Sequence, residues 1–114
     1  MKDTVSLKFN HEFRRLYAKG KSAVSPCVAV YCRKNRLDHN RLGLTVGTKV
    51  GKAVRRNRTR RRLREAYRLH EDQLVRGYDI VVVARVRAAF APYQELERHL
   101  LRTMDKLGLV KRDS

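Results

Sequence analysis

Apolar positions along this chain change period several times, and each change marks a new element. Phe9, Phe13, Leu16 and Tyr17 recur at spacings of three and four, which predicts a short amphipathic helix over 9–19 with Asn10 as its N-cap and Gly20 as its stop. VAVYC (28–32) and RLGLTVG (41–47) are short and β-prone, the second alternating Leu42, Leu44 and Val46 against Gly43, Thr45 and Gly47. The polar NRLDHN between them has turn composition, so the two predict a hairpin. A helical period returns next: at about 100° per residue, Thr59, Leu63, Ala66, Tyr67, His70 and Leu74 fall on one stripe, which predicts a helix over about 55–75 closed by Gly77. YDIVVVARV (78–86) is apolar on consecutive positions, the pattern of a strand covered on both faces. Leu96, Leu100, Leu101, Met104 and Leu107 then predict a last helix over 93–107, with Pro92 suited to its first turn. The order α-β-β-α-β-α, without internal repeat or Gly/Ser linker, predicts an α+β sandwich: a small mixed sheet with helices packed on it.

With 114 residues, 42% hydrophobic and 34% charged, the chain has material for one modest core, so 1–114 is expected to be a single domain. Charge changes the picture more. The formal net charge is +17, and the stretch KVGKAVRRNRTRRRLREAYR (49–68) holds ten of the 28 cations against Glu65 alone. A run this basic would ordinarily be a solvated tail. Here the predicted stripe anchors it, leaving Asn57, Arg58, Arg61, Arg64 and Arg68 on the opposite side and Arg60 and Arg62 at the apolar edge. Seven of the eight arginines in the stretch lie between 55 and 64, and Arg in preference to Lys suits bidentate phosphate contacts and stacking on bases. With a sequence pI near 10.9, a nucleic acid is the expected partner, ahead of an acidic protein or a membrane surface. A leucine-zipper basic region does not fit, because the apolar positions stop at Leu74 and Gly77 without a heptad array.

The N-terminus carries no apolar run of signal-peptide length, and the longest apolar stretch, IVVVA (80–84), is far too short to span a bilayer; a cytoplasmic protein is expected. Cys27 and Cys32, five apart in a predicted strand, should lie on opposite faces about 16 Å apart at a rise of about 3.3 Å per residue, unable to bridge. Without a CxxC pair or a nearby His pair they also make a poor zinc site. Nuclease chemistry carried by the chain itself would want converging carboxylates or a histidine pair. The eleven acids are scattered, and Glu71-Asp72 reads as helix-face charge. His11, His39, His70 and His99 fall in four separate elements, so no catalytic residue and no metal ligand is expected.

GLTVGTKVGKAVRRNRTRRRLREAYR (43–68), with Arg56, Asn57 and Arg58 at its centre, resembles the signature of the bacterial ribonuclease P protein subunit. FRRLYAKGKS before it and YDIVVVAR after it resemble the same family's flanking elements, so the likeness covers roughly 5–105. Thr48 and Arg60 depart from the pattern, each standing where lysine is common. The resemblance implies a ribosomal-protein-S5-domain-2-like fold. It implies a protein cofactor that helps a catalytic RNA, with Mg2+ held by that RNA, to remove the 5′ leader of precursor tRNA. Contacts to the RNA subunit would fall to Lys49, Lys52, Arg56, Asn57, Arg58, Arg61, Arg64 and Arg68. A leader-binding cleft would carry Phe13, Tyr17 and Tyr31. Phe13 and Tyr17 lie one turn apart on one predicted helix face, and single strands are commonly held by aromatics beside cations. The alternative is a ribosomal or other structural RNA-binding protein with a similar basic helix.

Overall fold

A computed structural model of the chain describes residues 2–112. Its strands are β1 (Val5–Ser6), β2 (Lys21–Val24), β3 (Val28–Lys34), β4 (Arg41–Thr45) and β5 (Tyr78–Ala84), and its main helices are α1 (Asn10–Lys19), α2 (Ala53–His70) and α3 (Tyr93–Lys106). Single helical turns lie at Thr48–Val50, Glu71–Gln73 and Val86–Ala89. The strands form one mixed sheet in the order β1-β4-β5-β3-β2. The predicted α+β class and element order hold, with two edge strands added.

One pairing differs from the expectation: β3 and β4 are not a hairpin. β5 lies between them, antiparallel to β3 from Val28↔Ala84 to Lys34↔Tyr78 and parallel to β4 from Arg41↔Asp79 to Thr45↔Val83. A strand apolar on consecutive positions needs ladder partners on both edges as well as cover on both faces, and the middle of the sheet provides both. The parallel β4–β5 pair in turn needs a crossover, which α2 supplies. The 35–40 segment therefore crosses the start of β5 instead of turning tightly. Asn35 and Asn40 fasten it there: Asn35 Nδ2 donates to Asp79 Oδ1 (3.0 Å), Asn40 Nδ2 to the Val75 carbonyl (2.8 Å), and the Tyr78 amide to Asn40 Oδ1 (2.9 Å).

Each face of the sheet has its own core. On one, Val28, Val30, Cys32, Leu42, Ile80 and Val82 pack with Leu63, Ala66 and Tyr67 of α2 and Leu96, Leu100 and Met104 of α3. On the other, Val81 packs with Leu7 and Leu16, flanked by Phe13, Tyr31 and Val83. Leu16 is the only fully buried residue of α1, so that helix needs a second attachment. Arg41 provides it, donating to both carboxylate oxygens of Asp79 (2.7 and 2.6 Å) and to Glu12 Oε2 of α1 (2.6 Å). Bidentate geometry makes this a directional clamp.

Three local expectations are corrected. Asn10 is the first residue of α1 and not its cap; the Phe9 carbonyl takes the Glu12 and Phe13 amides, and no side chain caps the helix. Cys27 precedes β3, so strand alternation does not reach it, and both thiols lie free in the same core instead of on opposite faces. Glu71 is no helix-face charge: α2 ends at His70, and in the turn that follows the Glu71 side chain is buried, accepting the Lys2 and Asp3 amides (3.1 and 3.3 Å). Burial pushes its carboxyl up, but hydrogen bonds from Thr4 and those amides outweigh burial and hold it below the ordinary value. Asp72 beside it is exposed.

Leu63 is 0% exposed, so Leu63→Ala should cost about 2 to 5 kcal/mol in denaturant unfolding. Arg58→Ala on the opposite face should stay within about 0.5 kcal/mol. A carboxyl depressed in the folded state stabilises above its unfolded value of about 4.3 and loses that contribution as pH falls through the lower folded value. Glu71→Gln should therefore destabilise by about 1 to 2 kcal/mol at neutral pH, a gap that closes on acidification below about pH 4.

Candidate nucleic-acid interface

The apolar stripe of α2 is where its period puts it. Thr59, Leu63, Ala66 and Tyr67 are buried within the helix, Leu74 is buried just beyond it, and half-buried His70 meets Glu97 (Nε2 to Oε2, 3.0 Å). With that face fixed, Asn57, Arg58, Arg61, Arg64 and Arg68 are exposed on the other, continuous with exposed Lys52 and Lys49 at the N-terminal approach. Arg56 is half-buried, and its Nε has no hydrogen-bond partner among the described residues. Among the described residues, Arg58, Arg61 and Arg64 form no ion pair, whereas Arg68 donates Nε to Glu65 Oε2 (3.0 Å) and is partly neutralised in place.

The two arginines at the edge of the stripe have separate tasks. Arg62 donates to the Ala88 carbonyl (3.1 Å) and to that of Ala91, bolting α2 to the Val86–Ala89 turn. Arg60 donates to Asn57 Oδ1 (2.9 Å) and borders a groove between α2 and α1. Arg55, on the next turn towards the N-terminus, lies 4.8 Å over the Phe90 ring, a cation–π contact.

The groove exists because β1 is so short. Its ladder with β4 covers only Arg41 and Leu42, so the outer edge of β4 beyond them opens into a space of about 690 Å³ walled by Phe13, Arg14, Tyr17, Thr45, Val46 and Arg60. Phe13 lies against the β4 backbone at Gly43, where any Cβ would fall 2.5 Å from the ring. Tyr17 is 41% exposed, donates or accepts at Thr45 Oγ1 (3.0 Å), and meets Tyr31 edge-on with ring centroids 5.0 Å apart. Phe13 and Tyr31 are half-buried. The three aromatics therefore form one cluster, with Arg14 and Arg60 on its rim and Arg64 beyond Phe13. Such a surface offers ring faces to bases and guanidinium groups to phosphates at spacings a single strand can follow.

Sequence reasoning missed Arg14, Arg60, Gly43 and Thr45 as parts of this groove. Arg60 stood out only as a departure from a lysine pattern, and Gly43 only as an outward position of a strand. It also missed a meeting of Cys27, Glu95 and His99, whose ligand-type atoms all lie within 4.8 Å of one another. The other histidines are dispersed among ordinary partners: His11 stacks on Phe9, His39 meets Asp38 and His70 meets Glu97.

The family model for ribonuclease P matches residues 1–108 of the chain. The chain belongs to the bacterial ribonuclease P protein family. The ribonuclease P protein component of Natranaerobius thermophilus is 38% identical over 113 residues, covering 99% of this chain and 98% of that one. The component of Clostridioides difficile is 42% identical over 98 residues, covering 85% and 86%. Among solved structures, the Staphylococcus aureus RNase P protein superposes with a TM-score of 0.85 at 32% identity, covering 93% of this chain and 97% of that one. The Thermotoga maritima protein gives 0.81 at 31% identity, covering 89% and 96%. Membership makes the chain the protein subunit of an endoribonuclease ribonucleoprotein of tRNA processing, with an RNA partner in the holoenzyme. The reading as a ribosomal protein is thereby set aside. No helix among the described residues is long and apolar enough to cross a membrane.

Alanine at Arg58, Arg61 or Arg64 should each lower the slope of log affinity for that RNA against log salt by about 0.7 to 0.9, since each lost phosphate contact returns its counterions. Alanine at Arg68 should lower it less, because Glu65 already neutralises part of that charge. Unchanged slopes in filter binding over a salt series would remove this face from the interface.

Proposed function

We propose that this chain works in the cytoplasm as a two-sided adaptor. The outer face of α2 and its N-terminal approach, Lys49, Lys52, Arg56, Asn57, Arg58, Arg61, Arg64 and Arg68, bind the catalytic RNA, and the groove lined by Phe13 and Tyr17, with Tyr31 packed edge-on against Tyr17, binds the 5′ leader of precursor tRNA. The observation that carries this reading is the continuity of the two surfaces. Arg60 and Arg64 leave the cationic helix and border the aromatic cluster, so one polyanion can lie on α2 while a second, single-stranded one enters beside it.

The physical contribution follows from that arrangement. Where two polyanions meet, fixed guanidinium groups replace part of the screening that divalent ions would otherwise provide, so the holoenzyme needs less Mg2+ than the RNA alone. Mg2+ supplies the hydrolytic chemistry when bound to the RNA. The chain holds and orients. Screening alone would help precursor and mature tRNA alike. Stacking of leader bases on Tyr17 and Tyr31, at about 1 to 3 kcal/mol per base, would favour only the substrate that still has a leader.

Holoenzyme affinity measured over precursors of increasing leader length tests the groove. Affinity should rise with leader length until the groove is filled, then level off, and Tyr17→Ala and Tyr31→Ala should flatten the rise while leaving RNA-subunit affinity nearly unchanged. A gain independent of leader length would reduce the aromatic cluster to packing and the chain to a charge neutraliser.

A further inference from the structure

Cys27, at the entry to β3, and Glu95 and His99, one turn apart on α3, lie 68 to 72 residues apart in the chain and converge on one point. His99 Nδ1 is 3.1 Å from Cys27 Sγ, and Glu95 Oε2 is 3.9 Å from the same sulfur. Cys27 is wholly buried, while Glu95 and His99 are half-buried. The arrangement is not a nucleophile–base–orienter triad, because the carboxylate reaches the sulfur and not the far nitrogen of the imidazole. It is a thiol, an imidazole and a carboxylate facing inward around a common centre.

We propose that Cys27, His99 and Glu95 form a zinc-binding site. Tetrahedral zinc with bonds of about 2.0 to 2.3 Å places its ligand atoms roughly 3.3 to 3.8 Å apart; the two contacts to Cys27 Sγ, 3.1 and 3.9 Å, bracket that range, and all three atoms lie within 4.8 Å of one another, so side-chain shifts of about an ångström would seat the ion. Binding replaces the thiol proton with the metal: the proton leaves to solvent, the sulfur becomes a thiolate ligand, and no electron changes hands. Water completes the fourth position. The mixed sulfur, nitrogen and oxygen set suits zinc and disfavours Mg2+ and Ca2+, which take oxygen ligands.

Arg87 fits this role and does not oppose it. It donates Nε to Glu95 Oε2 (2.8 Å) and a terminal nitrogen to Glu95 Oε1 (3.0 Å). When Oε2 turns to the metal, Oε1 keeps its guanidinium partner, which then orients the ligating carboxylate from behind. The metal replaces a hydrogen-bonded junction with a coordinated one, tying the start of β3 to α3. Burial, with the Glu95 charge next, holds the metal-free thiol above its ordinary pKa, so without metal Cys27 is a protonated and unreactive group.

Cobalt titration of the reduced, tag-free chain tests the site. Thiolate-to-cobalt charge-transfer absorption should saturate at a single ion per chain and be removed by added zinc. It should vanish in Cys27→Ser and persist in Cys32→Ser, whose sulfur has no such neighbours. His99→Gln should weaken zinc binding by at least about tenfold while leaving the circular dichroism spectrum unchanged. No charge-transfer band, or a band retained in Cys27→Ser, overturns the site. Should Cys27→Ser fail to fold by circular dichroism, His99→Gln decides: unchanged zinc affinity in that variant overturns it equally.

Discussion

Burial of Leu63, Ala66 and Tyr67 against the sheet is the contact on which the rest of this molecule depends. A segment with ten cations and one acid gains nothing from folding on electrostatic grounds, since every guanidinium brought close to another raises the free energy. Only the apolar stripe repays the ordering. Each fully buried large apolar side chain contributes about 1.5 to 3 kcal/mol, and Leu63 and Tyr67 are both entirely removed from solvent. The stripe also determines which cations are available: Arg58, Arg61 and Arg64 face water because Thr59, Leu63 and Tyr67 face the core. Arg62 at the edge is used internally, on the carbonyls of Ala88 and Ala91.

The groove depends on a different balance. α1 buries little, so its position relies on the Arg41 clamp between Asp79 and Glu12 and on the Phe13 ring seated where Gly43 has no side chain. A weakly buried helix held by directional contacts can keep its outer aromatics half-exposed. One held by a full apolar face would have consumed them. Function and packing thus compete for the same side chains on α1, and Phe13 serves both: one face of its ring closes the minor core and it also borders the groove.

Most of this was legible in the sequence, for reasons that can be traced to particular residues. The stripe of α2, the buried central strand and the Leu96–Leu100–Met104 face of α3 carry strong periods because deep burial permits few residue types. β1 and β2 were not legible: they are edge strands, one of two residues and one almost wholly exposed, so burial leaves no pattern on them. The hairpin expectation failed because alternation within a strand says nothing about which strand pairs with it, and β5 enters the sheet from far along the chain, its paired residues 38 positions after those of β4 (Arg41↔Asp79) and at least 44 after those of β3 (Lys34↔Tyr78). Arg60 beside Tyr17 and His99 beside Cys27 are products of tertiary convergence between distant segments. Residue identities at those positions were visible in advance, but their adjacency was not.

The central claim is that packing alone makes α2 a rigid cationic face before any RNA arrives. Amide hydrogen exchange of the RNA-free chain at low salt, read residue by residue, tests this most directly. Amides from Leu63 to Tyr67 should exchange in the slowest class together with those of β5, at rates approaching those set by global unfolding, with only the first turn of α2 fraying. Rapid exchange along the whole of α2, slowed only when RNA is added, would mean that the polyanion folds the helix and would contradict the account.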